Sequence, residues 1–501
     1  MPPEPPTRDQ MKSYWTEHSA TTDVETMMLD SNAKLLHELE RPEIMAHAPC
    51  MDQQDVLELA AGIGRFTALI GPRAQRVTAV EFIDDFHKAN VAANGHLANV
   101  TFVCQDVVTL EYPPQSFDVI FSNWLFMYLS DAEVQAFAAK AVQWLRPGGQ
   151  LFFRESCFRQ SGDVARSANP THYRHPAFYV GAFGAVVSHE DKEGHHAIGY
   201  LSLESSGSVA VYRKIKRNNG QVYFCYKKVV TLCAAESSAN EAVATFQKFL
   251  DEQQYSTQSI TRYEKIFGSG YVSTGGQTTT TEFVSKLQLQ AGERVLDVGC
   301  GIGGGDFYMA RQFNVAVVGI DLSTNMVHRA LETSMQLSSL DVEFEICDAT
   351  KKEFPDASFD VVYSRDTILH IEDKHALFAK FFRWLKPGGR VLISDYCRGE
   401  QEPTDRFKAY VADRGYHLLS PSQYGKVLES VGFHSVVAED RTEQFVTVLK
   451  DELARTLAHK EEFVAETSEL DFQYIVDGWK AKIVRCGEGD QKWGLFYGEK
   501  K

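Results

Sequence analysis

Nowhere among its 501 residues does the chain hold some 18 consecutive apolar residues, about the length a helix needs to cross a bilayer. The first ten residues, MPPEPPTRDQ, lack the basic and apolar regions of a secretory signal, so the protein is expected in the cytosol, with no membrane insertion. Positive charge is scarce as well. The 51 Lys and Arg stand against 67 Asp and Glu, a formal net charge of -16, which argues against a nucleic-acid partner. The nine cysteines form no CxxC pair, so they read as free thiols in a reducing compartment and no metal is expected. Proline is limited to 16 residues against 35 glycines, and 44% of the chain is hydrophobic and 24% charged. That is the composition of a folded protein built around small-molecule chemistry.

What is present occurs twice. VLELAAGIGRF at 56 to 66 and VLDVGCGIGGG at 295 to 305 head two runs of landmarks in the same order: Val56 and Val295, Glu81 and Asp321, Asp106 and Asp348, Ser122 and Ser364, Trp144 and Trp384. Their offsets stay between 239 and 242 residues, so each half is one copy of a repeat. In each copy short apolar runs (DVLEL, RVTAVEF, VTFVCQD, FDVIFSN, QLFFRES; then RVLDV, VAVVGID, VEFEICD, FDVVYSR, RVLISD) alternate with longer amphipathic stretches. Alternation of this kind predicts an α/β fold: two tandem Rossmann-like domains, each a mostly parallel sheet with helices on both faces. The boundary is expected near 235/236, giving domains 1–235 and 236–501. LRPGG and LKPGG are expected to end a helix and feed the fifth strand. RKIKRNNGQVYFCYKKVVTL (213–232) reads as a strand pair around an Asn-Gly turn, and AAESSANEA (234–242) as a short linker.

Glycines 299, 301 and 303 permit a tight turn at a helix N-terminus. The acids around them narrow the ligand. Asp297 (Glu58 in the first copy) precedes the turn, Asp321 (Glu81) ends the second strand and can hold ribose hydroxyls, and Asp348 (Asp106) follows the third, suited to an adenine amino group. Three acids would repel a dinucleotide pyrophosphate but suit adenosine joined to a sulfonium and an ammonium. The ligand so predicted is S-adenosylmethionine. The pattern resembles the class I S-adenosylmethionine-dependent methyltransferases. An NPPY-type motif is missing from the end of the fourth strand, where SNW (122–124) and SRD (364–366) stand, and NPTHY (169–173) follows the fifth strand instead.

Longer wording carries a closer likeness. YWTEHSATTDVETMMLDS, SNWLFMYLSD and FFRESCFRQSGD in the first half, with RYEKIFGSGYVSTGG, YSRDTILHI, DRGYHLLS and DGWKAKI in the second, resemble the two-domain, plant-type phosphoethanolamine N-methyltransferases over nearly the whole chain. The resemblance implies seven-stranded class I methyltransferase domains, S-adenosyl-L-methionine as donor with S-adenosyl-L-homocysteine as product, and small phosphobases as partners. These are methylated from phosphoethanolamine through monomethyl and dimethyl forms to phosphocholine, for phospholipid synthesis, by a monomer. The first domain would perform the first methylation and the second domain the second and third.

Carried over residue by residue, the resemblance assigns Tyr255 and His370 as a catalytic dyad, with Gln254 beside it and Asp366 near the amine. It gives the phosphate to Tyr396, Tyr410, Arg414, Gly415, Tyr416 and Lys482, and the cofactor to Tyr263, Val272, Ser273, Gly299, Asp321, Asp348, Ala349 and Arg365. In the first domain it assigns Ala60, Arg65, Glu81, Asp106, Val107 and Asn123 to the cofactor and Ser156, Ser161, Gly162, Arg166 and Tyr173 to the phosphobase. That domain departs from the second. Tyr128 stands where His370 does, Trp124 where Asp366 does, Ala60 where plant enzymes have glycine, and Tyr14 and His18 are lid candidates. Three rival readings stay open: a catalytically silent first domain, a nicotinamide-dependent oxidoreductase, and a methyltransferase for another amine or a sterol.

Overall fold

The computed structural model describes residues 8–19, 21–163, 171–192, 195–232 and 246–501. The chain divides into two units, residues 1–245 and 246–501. The linker read at 234–242 lies outside the described residues.

In the first unit the strands are β1 (Asp55–Leu59), β2 (Arg76–Glu81), β3 (Val100–Cys104), β4 (Phe117–Asn123), β5 (Leu145–Ser156), β6 (Val187–Lys192), β7 (His195–Ser208) and β8 (Gln221–Leu232). They run in the order β7-β8-β5-β4-β1-β2-β3, with β6 paired to β7. The first five are parallel and β8 is antiparallel to β5. The second unit repeats this with β9 (Arg294–Val298), β10 (Ala316–Asp321), β11 (Val342–Cys347), β12 (Phe359–Arg365), β13 (Leu385–Arg398), β14 (His434–Asp440) and β15 (Gln491–Glu499), ordered β14-β15-β13-β12-β9-β10-β11. Strand order reverses between β1 and β4, and between β9 and β12. A cleft opens at such a switch point beyond the carboxyl ends of the strands.

Central strands are covered on both faces, and β1 is buried at every position, Asp55 and Glu58 included. Helices Asp131–Trp144 and Lys374–Trp384 each end on a fully buried tryptophan immediately before β5 and β13, as LRPGG and LKPGG predict. Their N-termini are fixed by side chains: Ser130 and Glu133 form a capping box, and Asp373 accepts from Ala376 N–H.

The strand pair expected at 213–232 is corrected. Its first arm is the end of a helix, Ala210–Lys216, and only β8 is a strand. Val211 and Ile215, four apart, lie against the core beside buried Tyr212. Glu43, 168 residues upstream of Val211, accepts from the Ala210 and Val211 N–H groups (2.9 Å for Val211) and caps the helix. No local pattern carries that cap.

In the second unit Phe496 of β15 stacks on Tyr424 of helix Pro421–Val431, with ring centroids 3.9 Å apart and planes 4° from parallel. Both rings are fully buried. Phe496→Ala is expected to lower unfolding free energy by about 3 to 5 kcal/mol, as read by denaturant titration.

Candidate active site

The second unit builds its site from the turn after β9. Gly299, Gly301 and Gly303 have φ of 81°, 56° and 84°, backbone that favours glycine. A Cβ on Gly299 would lie 2.1 Å from Thr367 Oγ1, and one on Gly303 2.7 Å from the Phe344 ring. Asp321 fastens this turn, its carboxylate accepting from Gly301 N–H (2.9 Å) and Ser323 N–H (2.8 Å). In the first unit Glu81 does the same for Gly62 N–H (2.7 Å) and the Phe82 and Ile83 N–H groups. Asp348 accepts from Thr350 N–H at 2.9 Å, and Asp106 from Val108 N–H at 3.2 Å.

Around the turn lies a cavity of about 500 Å³ that brings together Val272, Ser273, Gly299, Asp321, Asp348, Ala349 and Arg365 from the expected cofactor set. Tyr263, expected in the same set, lines a neighbouring cavity of about 420 Å³, with Gln254, Tyr396, Tyr410, Arg414, Tyr416 and Lys482. Tyr255, Val272, Ser273, Asp366 and His370 line both, so the two spaces meet where a methyl donor and an acceptor would. Gly415 lines neither. With φ 61° it makes the turn after helix Asp405–Asp413 that separates Arg414 from Tyr416.

Burial sets the charge of this region. It raises Asp321 to about 6 and Asp306 to about 7, and lifts Asp297, beside Asp306, well above the usual carboxylate range. Asp297 and Asp321 line the cavity, and the charge of a cationic adenosyl ligand there would stabilise their ionised forms. His370 is pushed down to about 4, first by burial, and its Nδ1 has no hydrogen-bond partner among the described residues. Burial raises the Tyr255 phenol, whose oxygen accepts from Gln254 Nε2 at 3.1 Å. The dyad thus shares a cavity wall, while the phenol is bonded to Gln254. A five-residue π-helical turn, Leu250–Gln254, delivers Tyr255, and Asp251 in that turn accepts from Ser323 Oγ at 2.6 Å. Lys482, 3.4 Å from Tyr396 Oη, is lowered to about 8 by burial. Arg365 donates to Thr280 Oγ1 (2.7 Å), Thr274 O (2.8 Å) and Thr279 Oγ1 (3.0 Å), holding the cavity wall.

Sequence reasoning missed Tyr474 and Arg485. The Tyr474 hydroxyl accepts from Arg414 Nη2 at 3.2 Å, and Arg485 lies 3.9 Å over the Tyr410 ring. Both sit on helix Glu469–Gly487 with Lys482. The eight- and three-residue spacings from Lys482 put them on its face, a signal that was available.

The first unit's cavity is smaller, about 130 Å³, and gathers Ala60, Arg65, Glu81, Asp106, Val107 and Asn123, all six expected for the cofactor, with Trp124 and Tyr128. Ala60 takes the left-handed backbone of Gly299, φ 51°. Arg65 donates to His37 Nδ1 (2.9 Å) and pairs with buried Glu40. At the matching Gly304 a Cβ would lie 2.1 Å from Gly270 O, so the second copy has no room for such a side chain. Among the described residues, the expected phosphobase residues Ser156, Ser161, Gly162 and Tyr173 do not line this cavity. Ser156 is buried and accepts from Gln221 Nε2 (2.7 Å), Ser161 Oγ is 3.5 Å from Ser156 Oγ, and Gly162 packs on Leu29 O. Tyr173 is half-buried away from the cavity. Arg166 lies outside the described residues. Tyr14 stacks on His18 at 4.1 Å, and neither lines the cavity; the next residue, Trp15, does, and meets Tyr128 edge-on at 5.4 Å.

One clamp recurs in both units. Tyr128 and His370 end 3-10 turns, Phe126–Tyr128 and Ile368–His370. Glu155 accepts from the N–H groups of Leu125, Phe126 and Met127, and Asp395 from that of Leu369. Arg174 donates to the carbonyls of Phe126 and Leu129, and Lys374 to those of Ile368 and Ile371.

Residues 56–149 and 289–432 each match a family described as methyltransferase domain. The chain is 52% identical over 496 residues to phosphoethanolamine N-methyltransferase 1 of Triticum aestivum, covering 98% of this chain and 97% of that one. It is also 52% identical to phosphoethanolamine N-methyltransferase 1 of Arabidopsis thaliana, over 98% of each chain. Among solved structures, Haemonchus contortus phosphoethanolamine N-methyltransferase 2, in complex with phosphomonomethylethanolamine and S-adenosylhomocysteine, aligns with TM-score 0.74 and 27% identity, covering 92% of this chain and 99% of that one. Two methyltransferase domains in tandem and full-length identity above half place this chain in the phosphoethanolamine N-methyltransferase family.

Proposed function

We propose that the protein transfers methyl groups from S-adenosylmethionine to the nitrogen of phosphoethanolamine, then to its monomethyl and dimethyl forms, yielding phosphocholine for phosphatidylcholine and choline synthesis. One observation carries the reading: the cofactor cavity and a cavity ringed by Arg414, Tyr416 and Lys482 meet at Tyr255, Asp366 and His370. The bound donor supplies an electrophilic methyl group at the junction. The chain's own residues handle the acceptor. Arg414 and Lys482, with tyrosine hydroxyls, grip the phosphate. An ethanolamine ammonium with a Lys-like pKa of about 10 costs roughly 4 kcal/mol to deprotonate at pH 7. His370 is neutral at that pH and has a free Nδ1 to accept the proton. Asp366 draws the cationic amine to the junction, and the surrounding tyrosine rings tolerate a quaternary product.

In this reading the first unit performs the first methylation and the second unit the other two. The enzyme works as a monomer in the cytoplasm; among the described residues no helix is long and apolar enough to cross a membrane. A catalytically silent first unit is the second reading, favoured by its smaller cavity. Asp106→Ala and Asp348→Ala separate them when each intermediate is followed by mass spectrometry. Asp106→Ala is expected to stop phosphoethanolamine consumption while monomethyl and dimethyl substrates still reach phosphocholine, and Asp348→Ala the reverse. Phosphoethanolamine consumption untouched by Asp106→Ala would establish the silent unit.

Arg414→Ala is expected to raise KM for methylated phosphobases about tenfold to a hundredfold, the worth of one charge-assisted hydrogen bond, with KM for S-adenosylmethionine unchanged in steady-state assays. His370, lowered to about 4, stays a proton acceptor as pH falls through 6.5. Second-unit turnover is therefore expected to lose its base only as pH nears 4, and a pH profile that breaks at 6.5 and straightens in His370→Gln would contradict this.

A further inference from the structure

In both units the residue that follows the fourth strand takes a left-handed backbone. Asp366 has φ 51° and Trp124 φ 63°. Each N–H is tied to a fifth-strand carbonyl, Ser394 O at 2.7 Å and Arg154 O at 2.8 Å. Such backbone is unfavourable for a non-glycine residue and persists where the surroundings over-determine it. What differs is the side chain and everything that holds it.

Asp366 Oδ1 accepts from Trp493 Nε1 at 2.9 Å and from Ser394 Oγ at 3.1 Å. Its Oδ2 is buried without a partner among the described residues, on a residue shared by both cavities. Trp493 sits on β15 opposite Tyr396, and the matching place on β8, opposite Ser156, belongs to Gln221. There the bond runs the other way: Trp124 Nε1 donates to Gln221 Oε1 at 2.8 Å. In place of Ser394 stands Arg154, fully buried, its guanidinium 3.6 Å over the Trp124 ring.

Indole N–H only donates and an ionised carboxylate only accepts. Tryptophan at 366 would therefore meet Trp493 donor to donor. Aspartate at 124 would face Arg154, which already pairs with buried Glu40, and the guanidinium would compete with a substrate ammonium for it. The exchange works only as a set, and it separates two kinds of acceptor site. Each added methyl removes an N–H from the ammonium, leaving charge as its main handle. A free carboxylate oxygen attracts that charge whatever its substituents. A tryptophan already facing Arg154 has less of its quadrupole to offer a second cation.

We propose that Trp493 and Ser394 are positioning residues that fix one oxygen of Asp366 and leave the other for the methylated ammonium, and that Trp493/Ser394 against Gln221/Arg154 sets which acceptor each unit takes. This rests on the functional reading above. Trp493→Phe keeps the ring and deletes the donor; Ser394→Ala deletes the other, and Ser394→Thr restores it. In the full-length protein, kcat/KM for phosphomonomethylethanolamine and phosphodimethylethanolamine is expected to fall about tenfold or more in Trp493→Phe, the effect of losing a hydrogen bond to a charged group. KM for S-adenosylmethionine and phosphoethanolamine consumption should stay unchanged, and Ser394→Thr should recover most of what Ser394→Ala loses. Wild-type turnover of methylated phosphobases in Trp493→Phe and Ser394→Ala would overturn the proposal. So would an equal loss in donor binding, which marks a merely structural role. Should Trp493→Phe fail to fold, the Ser394 pair decides by the same measures. A wild-type protein that methylates none of the three phosphobases would instead overturn the functional reading itself.

Discussion

The cofactor cavities depend on one kind of hydrogen bond: a carboxylate at the end of the second strand accepting from the middle glycine of the turn after the first. Glu81 holds Gly62 and Asp321 holds Gly301. A glycine-rich turn has many conformations open to it, and the entropy of fixing it is high. Tying it to a neighbouring parallel strand selects one of them and leaves the turn's backbone facing the cleft. The same acid then lines that cleft, so the residue that shapes the cavity also sets its charge.

On this shared frame the units have diverged in matched sets of residues. Arg65 fills space beside Glu40 that Gly304 must leave to Gly270 O. The 3-10 turns bearing Tyr128 and His370 are gripped alike, by an acid on the fifth strand and a buried cation, yet Arg174 comes from the segment after β5 and Lys374 from the helix after the turn. Interiors are close-packed and intolerant of unpaired polar groups. A change at one position is therefore accompanied by changes in whatever bonds to it.

Much of this was legible in the sequence, because the signals were local. Glycines 299, 301 and 303, the acids at Glu81 and Asp321, and the offset near 240 residues point to two tandem, mostly parallel α/β domains and to the cofactor turn. Tyr396, Tyr410, Arg414, Tyr416 and Lys482, picked out by the second half's wording, line one cavity, while Gly415 does not. What escaped was long-range. Glu43 caps a helix that local alternation presents as a strand, and Trp493 reaches Asp366 across 127 residues. Tyr263 lines the neighbouring cavity and Tyr255 lines both, a distinction that eight residues of sequence do not reveal. In the first unit, Ser156 is buried and bonded to Gln221 of β8, and Gly162 lies against Leu29 O, placements that spacing alone does not signal.

The buried acids carry a further meaning. Glu58 is raised to about 8 by burial in the first cavity, and Asp306 to about 7 behind the second. A cation placed beside such acids favours their ionised forms. A sulfonium donor that binds there would therefore release protons, and the heat of its binding would vary with the ionisation enthalpy of the buffer that takes them up.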